Sequence, residues 1–230
     1  SSKPPSTSSG SAGRTWLVSY GLTRGDLRRL EWFFPDLKLI VPLKAAGGEL
    51  IRNDQKIVSQ AYGTTPELAA AANLEVQTGG RYLVESDIEN ESAVAVIGSE
   101  VASKFFLLEN PVGKSIFIDN KVFTIVGVLK PIGLAGGAGT ALVGRDLNKD
   151  VHIPITRVEK AFGDTIIRRS SGQSSGELIE ISEIYLQVNS TEEVSSFAER
   201  IRRVLEAGHP DMNDVQIVVP WELLENARRT

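Results

Sequence analysis

The 230-residue chain contains no cysteine, which removes disulfides and thiolate chemistry and is compatible with either side of a membrane. Histidine is almost as scarce, with only His152 and His209 present. Neither has another histidine close by, whereas a zinc site needs three or four nitrogen, sulfur or oxygen ligands, so no metal ligand is assigned. Positive charge is not in excess: the net charge is −4, and a general nucleic-acid binder is more often basic, so nucleic acid is not expected as a partner. No apolar run approaches the roughly 20 residues of a transmembrane helix. The start lacks a charged segment followed by an apolar one, as a signal peptide would have. The chain opens on Ser1 rather than Met, from which we expect an excised or processed piece. What is present is a 41% hydrophobic composition, enough for a packed core and too much for a disordered chain. The length suits one large domain or two small ones.

Residues 1–13, SSKPPSTSSGSAG, are rich in Ser, Pro and Gly and read as a flexible linker. Order is expected from Thr15, with a strand over residues 15–20. Thr23 then stands where a helix N-cap would, with Asp26 at N3, and Leu27, Leu30 and Phe34 share one face. Pro35 ends that helix and residues 37–41 return as a strand. A matching unit closes the chain: a strand over 183–188, a capping box in Ser190-Thr-Glu-Glu193, and a helix with Val194, Phe197, Ile201, Val204 and Leu205 on one stripe. Gly208 and Pro210 stop it, and residues 215–219 form the return strand. Two strand–helix–strand units at the two ends predict one sheet with both helices on one face, a ferredoxin-like split β-α-β arrangement in an α+β fold.

The middle is then an insertion. Residues 56–62 read as a strand, and Thr64-Thr-Pro66-Glu67 as the cap of a short helix through Asn73. Residues 93–130 read strand, helix, hairpin: an apolar strand through Val94, Val96 and Ile97, a helix with Ser99 as N-cap, then two β-branched runs joined at Asp119-Asn-Lys121. Residues 132–149 form a long Gly-rich stretch. Residues 151–155, VHIPI, are a strand whose Pro154 favours an edge or a strand end. Residues 158–162 suggest a helical turn, and 168–176, RRSSGQSSG, a mobile loop.

Motifs for chemistry fail on inspection. Gly113-Lys-Ser115 matches the end of a phosphate loop, but the glycine required five positions earlier is Leu108, and a strand follows where a helix should. The cluster Gly133, Gly136, Gly137 and Gly139 lacks the strand–turn–helix context of a dinucleotide loop. Asp87, Glu89 and Glu91 read as a solvated acidic loop rather than an acid–base group. Ser99 lacks the G-x-S-x-G of a nucleophile elbow. His209 follows a helix, where a cation favours the dipole, and capping is its ordinary reading. No catalytic, cofactor-binding or metal-binding residue is assigned, no cofactor is implied, and the chain is not expected to be an enzyme.

Residues 93–130 closely resemble the central module of the MacB-like periplasmic core domain, the extracytoplasmic part of a class of ABC transporter permeases. Residues 77–83, QTGGRYL, resemble the segment preceding that module, and 221–230, WELLENARRT, resemble the segment leading into the second transmembrane helix. The resemblance implies a porter-like subdomain over 14–52 and 178–230, with a Sabre-like subdomain inserted at 53–177. It implies a domain held between the first and second transmembrane helices of an inner-membrane protein, on the periplasmic side, with both ends facing one membrane plane. Its implied partners are those helices, a cytoplasmic ATPase domain, a second copy in a homodimeric transporter and, in Gram-negative relatives, a periplasmic adaptor protein. Its implied role is to pass ATP-driven motion outward during efflux. The corresponding domain of a lipoprotein-releasing or cell-division permease is the alternative, and a free-standing enzyme is the alternative of another class. The isolated domain is expected to be monomeric or weakly dimeric. The failed phosphate loop gives a direct test: titration calorimetry of the chain with ATP and magnesium is expected to show no saturable heat, and a micromolar dissociation constant lost in Lys114→Ala would contradict this reading.

Overall fold

The computed structural model describes residues 17–19, 21–132, 145–170, 173–189 and 193–217. The linker at 1–13, most of the Gly-rich stretch, the capping box at 190–192 and the segment 221–230 lie outside these. The fold is mixed α/β and divides into two compact units, one made of residues up to Pro42 and from Asp164 onward, the other of Leu43–Gly163.

The first unit begins with β1 (Leu17–Ser19) and α1 (Arg24–Phe33). The Thr23 side chain accepts from the Asp26 N–H, and the Asp26 carboxylate accepts from the Thr23 N–H at 2.8 Å, so two otherwise orphaned donors are satisfied reciprocally. Leu30 and Phe34 are buried, and Phe34 meets Phe197 of α6 (Val194–Glu206) at 5.9 Å between ring centroids. Ile201 and Leu205 of α6 join the same core as Leu22, Ile181 and Val215. The helical stripes read from sequence therefore face each other. The strands are arranged differently from expectation. β12 (Glu183–Gln187) lies beside β2 (Leu39–Ala45) as expected, but β1 pairs with β11 (Gln173–Leu178), in parallel, and β11 pairs with β10 (Thr165–Ser170). The described part of the stretch 168–176, expected as a mobile loop, is thus a pair of antiparallel strands with Arg168 opposite Ser175, and residues 171–172 lie outside the described residues. Its Ser- and Gly-rich composition hides it, because ladder pairing uses the backbone and needs no apolar alternation. Of the expected return strand, Val215 and the residues to Ile217 are described, and the remainder lies outside.

The second unit is a sheet in the order β2, β5 (Gln60–Thr64), β9 (Asp150–Pro154), β6 (Val94–Ile97), β8 (Lys121–Val128), β7 (Ser115–Ile118), β3 (Glu49–Arg52), β4 (Gln55–Val58), which β2 joins through Lys44 and Ala45 opposite Gly63 and Tyr62. The expected strand 56–62 is two strands: β4 (Gln55–Val58), in a hairpin with β3 (Glu49–Arg52), and β5 (Gln60–Thr64). Ser59 separates them, its N–H donating to Gly48. α2 (Leu68–Ala71) is shorter than expected and has no side-chain cap, since the Leu68 N–H bonds the Thr65 carbonyl. Residues 85–91, expected as an acidic loop, open with α3 (Glu85–Glu89).

Residues 93–130 fold as read: β6 (Val94–Ile97), α4 (Ser99–Phe105), β7 (Ser115–Ile118) and β8 (Lys121–Val128). Asp119 and Asn120, at φ of 41° and 66°, make the two-residue turn with both centres left-handed that matches strand twist. Ser99 is not the N-cap. Gly98 occupies that position, the Asn148 carbonyl accepts from the Glu100 N–H at 2.9 Å, and the Ser99 hydroxyl donates to Asn148 Oδ1. A distant residue thus supplies the first-turn contacts expected of Ser99. β9 (Asp150–Pro154) is buried along its whole length, parallel to β5 and antiparallel to β6, with Pro154 at the strand end. α5 (Ile155–Phe162) extends the expected helical turn at 158–162. One core, including Leu50, Ile97, Val101, Phe105, Phe123, Ile153 and Val158, fills the face covered by α4 and α5.

The division between units falls at Pro42/Leu43 and Gly163/Asp164 rather than at 52/53 and 177/178. The β3–β4 hairpin is drawn into the second unit by pairing with β7, and β10–β11 into the first by pairing with β1. Both choices are long-range and leave no local mark.

The QTGGR segment lies along β8, with N–H bonds from Gln77 to the Val128 carbonyl and from Arg81 to the Val126 carbonyl. Two glycines permit this approach. A Cβ on Gly80 would stand 2.8 Å from Gly127 Cα, and one on Gly127 would stand 2.1 Å from the Arg81 carbonyl oxygen. The register of β6 against β8 shifts beside Gly127, leaving an extra residue on β8. Gly127→Ala is expected to lower stability by about 1–3 kcal/mol through overpacking, read as a fall in thermal midpoint. An unchanged midpoint would mean that the segment is not held against β8 as described.

Candidate functional site

The sequence singled out several positions, and the structure does not bring them into one constellation. Gly113-Lys-Ser115 is exposed at the start of β7. The Gly113 N–H donates to the Ile125 carbonyl at 2.8 Å and the Lys114 N–H to the Pro111 carbonyl at 3.0 Å. A phosphate loop turns such groups toward the ligand, whereas here they serve the turn and the sheet. Beside them an open groove of about 450 Å³ runs between the Gly79–Gly80 turn and β8, lined largely by backbone and apolar groups. Residues 133–144 lie outside the described residues. Among the described residues no group of three or more His, Asp or Glu is placed to hold a metal ion.

Asp87 is not solvated. It is buried in the first turn of α3, accepting from the Val84 N–H at 3.0 Å and from both ends of the Arg81 guanidinium at 2.6 and 3.1 Å. Burial disfavours its charge, but the Arg81 hydrogen bonds, the Val84 N–H and the Arg81 charge outweigh that and hold the carboxyl below its ordinary value. Glu91 pairs with Lys160 of α5.

His152 sits at the centre of β9, fully buried. The half-buried Tyr82 turns its hydroxyl inward to Nδ1 at 2.8 Å. Burial drives the phenol far above its ordinary pKa, with the Asp150 charge adding to the rise and Arg145 opposing it. The Asp150 carboxylate, with Oδ2 3.6 Å from Nε2, favours the ring proton on that nitrogen, so that Nδ1 accepts from the Tyr82 hydroxyl. Asp150 in turn holds Arg145 at 2.5 Å, and the Arg145 guanidinium lies 3.4 Å over the Tyr62 ring. Nothing in the sequence pattern pointed to this group, whose members are spread from Tyr62 to His152. The chemistry it supports is internal: it supplies partners to polar side chains on a strand with no solvent-facing side.

His209 is the centre of a second buried polar group, in the first unit. Its backbone N–H bonds the Leu205 carbonyl, as a residue closing α6 should, but its ring faces Asp26 and Asp214 rather than the helix dipole alone.

These geometries belong to a fold with known relatives. The model of the MacB-like periplasmic core domain matches residues 3–204. The chain belongs to the MacB-like periplasmic core domain family. It is 35% identical over 132 residues, 56% of its length, to the pyoverdine export ATP-binding/permease protein PvdT of Pseudomonas aeruginosa, and 27% identical over 197 residues, 85% of its length, to PvdT of Pseudomonas syringae. It is 29% identical over 89 residues, 39% of its length, to the macrolide export ATP-binding/permease protein MacB of Neisseria gonorrhoeae. The matched stretches span 19%, 27% and 14% of those proteins. In fold it is similar to the periplasmic region of MacB from Actinobacillus actinomycetemcomitans, with a TM-score of 0.66 at 17% identity, covering 92% of this chain and 85% of that one. It is also similar to the extracellular domain of the ABC-type transporter YknZ from Gram-positive bacteria, with a TM-score of 0.61 at 18% identity, covering 82% and 84%.

The Tyr82–His152 contact yields a sharp test. Tyr82→Phe removes the donor and leaves His152 Nδ1 buried without a partner, at an expected cost of about 1–3 kcal/mol. Urea unfolding of the variant against the parent chain measures it. A loss within about 0.5 kcal/mol, as for an ordinary surface change, would contradict the assignment.

Proposed function

We propose that this chain is the extracytoplasmic domain of a MacB-type export permease in the inner membrane, passing ATP-driven motion of the membrane helices to the outside and engaging partner proteins there, without catalysis of its own. The observation that carries the reading is the family match over residues 3–204. The export ATP-binding/permease names of the relatives support the transport class, and their much greater length leaves room for the ATPase and membrane segments that the role requires. Among the described residues no helix is long and apolar enough to cross a membrane, and the proposed role calls for membrane helices outside them.

Leu17 and Ile217, at the outer limits of the described chain, belong to the same unit. This fits a domain that leaves and re-enters one membrane surface through that unit. On this reading it is the porter-like, membrane-proximal part, and the unit Leu43–Gly163 is the Sabre-like part, available to an adaptor. The dimer is attributed to the membrane helices and ATPases, so the isolated chain is expected to be monomeric or weakly paired.

The absence of cysteine allows a clean test in the full-length transporter freed of other thiols. Leu108 is 98% exposed in the second unit, and Leu108→Cys gives one spin-label site per copy. Label-to-label distances are expected to change between the nucleotide-free state and an ATP-bound state blocked in hydrolysis. Identical distributions in both states would reject motion transmission, and the absence of any intermolecular coupling would reject the dimer.

A further inference from the structure

His209 is buried, and each of its ring nitrogens faces a carboxylate oxygen: Nε2 stands 2.8 Å from Asp26 Oδ2 and Nδ1 stands 2.9 Å from Asp214 Oδ2. A neutral imidazole has one N–H and one lone pair, so it can donate to one of these oxygens only and must turn the lone pair on the other. A proton on either carboxyl group would resolve this, but carboxylic acids are ionised near neutral pH. Asp26 Oδ2 already accepts from the Thr23 N–H and the Thr23 hydroxyl, both at 2.8 Å, and Asp214 Oδ2 accepts from the Gly21 N–H at 3.0 Å. Both acids are acceptors, so both ring nitrogens are donors. The geometry itself calls for an imidazolium between two carboxylates.

The contact joins segments far apart in sequence. Asp26 is the N3 partner of Thr23 in the capping box of α1, Gly21 precedes that helix at φ +84°, and His209 and Asp214 follow α6. We propose that the His209 imidazolium is a pH-dependent fastener, tying the start of α1 to the segment after α6 while it carries its proton and loosening that tie when it loses it. Among the described residues, the charged groups facing the ring and its two carboxylates are Asp26, Asp214 and Arg29, whose guanidinium is 3.1 Å from Asp26 Oδ1. With His209 charged, two cations meet two anions. With it neutral, the buried group holds an excess negative charge, and one carboxylate meets a lone pair at hydrogen-bond distance. Nearby, Arg24 is committed to Asp164 at 2.8 Å and stands 3.7 Å from Glu180.

The electrostatics agree. Burial disfavours the charged ring, but the hydrogen bonds to Asp26 and Asp214 and their charges outweigh it and raise the pKa of His209 above its ordinary value. Burial likewise disfavours the two carboxylates. The bonds from His209 and Thr23 to Asp26, and those from Gly21 and His209 to Asp214, outweigh it and lower both pKa values. A raised histidine contributes in full below its unfolded pKa, and the contribution fades as pH rises through the folded one. The lowered acids contribute above their unfolded pKa, and that contribution fades as pH falls through their folded values. The tie therefore holds across mildly acidic to neutral pH and opens on the alkaline side. The inference concerns the chain alone and does not rest on the export reading.

The chain has two histidines, so the experiment is simple to assign. Imidazole signals are followed by NMR against pH in the parent chain, in His209→Gln, and in Asp214→Asn, which keeps an acceptor for Gly21. The signal missing from His209→Gln is expected to titrate in the parent above the ordinary value of about 6.5, and its midpoint to fall in Asp214→Asn. The thermal midpoint of His209→Gln is expected to lie on the order of 5 °C below the parent at pH 6, with the gap narrowing as pH rises through the His209 midpoint found by NMR. A His209 midpoint at or below about 6.5, a midpoint unmoved in Asp214→Asn, or a thermal gap constant with pH would each overturn the proposal. If His209→Gln does not fold, His152→Gln supplies the assignment, and the Asp214→Asn midpoint decides.

Discussion

A strand buried on both faces governs the second unit. Each residue of Asp150–Pro154 is removed from solvent, with β5 on one side and β6 on the other. Such a strand reads well when it is entirely apolar, but this one carries an acid and a histidine. Burying them unpartnered would cost several kcal/mol, so their neighbours must be polar and well placed. Arg145 answers Asp150, and Tyr82 answers His152. Tyr82 lies between β5 and β6 in sequence and Arg145 just before β9, and these contacts fix the segments that bear them. The position of the QTGGR segment across β8 depends in turn on two glycines whose backbones nearly touch other backbone. Polar satisfaction at Tyr82 and close packing at Gly80 thus pin the same segment.

The first unit meets a related constraint in another way. Among the described residues its apolar core gathers Leu30 of α1, Ile201 and Leu205 of α6, and Leu22, Phe34, Ile181 and Val215 from outside the two helices. A buried charged group relates the start of α1 to the segment after α6. Asp26 is at once a helix cap, a partner of Arg29 and a partner of His209. Groups that share one carboxylate are coupled, and a change at one is felt at the others. In a domain proposed to carry motion from membrane helices, the segments at both ends are the ones that must be held together, and the polar group sits between them.

The sequence was a good guide wherever the deciding interaction is local. The Thr23–Asp26 capping box, the stripes of α1 and α6, and the strand–helix–hairpin at residues 93–130 all follow from neighbours within a few positions. It failed where a distant residue decides. Ser99 looks like a helix cap, but Asn148 does the capping; residues 168–176 look like a loop, yet β1 makes them part of a sheet; Asp87 looks solvated, yet Arg81 buries it. The buried groups around His152 and His209 were not legible at all, because a histidine's partners are set by tertiary contact and leave no spacing rule.

Periodicity and local capping by themselves determined the mixture of helix and strand, most helices and the central hairpin, since those rest on short-range sterics and on which face of an element is apolar; the family resemblance rested instead on the likeness of particular segments. Tertiary structure alone decided which strands pair, where one unit gives way to the other, and which charges are buried together. Strand pairing satisfies backbone groups that every residue carries, so sequence marks it weakly. Buried ion pairs form between side chains up to 183 positions apart, as His209 and Asp26 do, and only the folded chain brings them within reach.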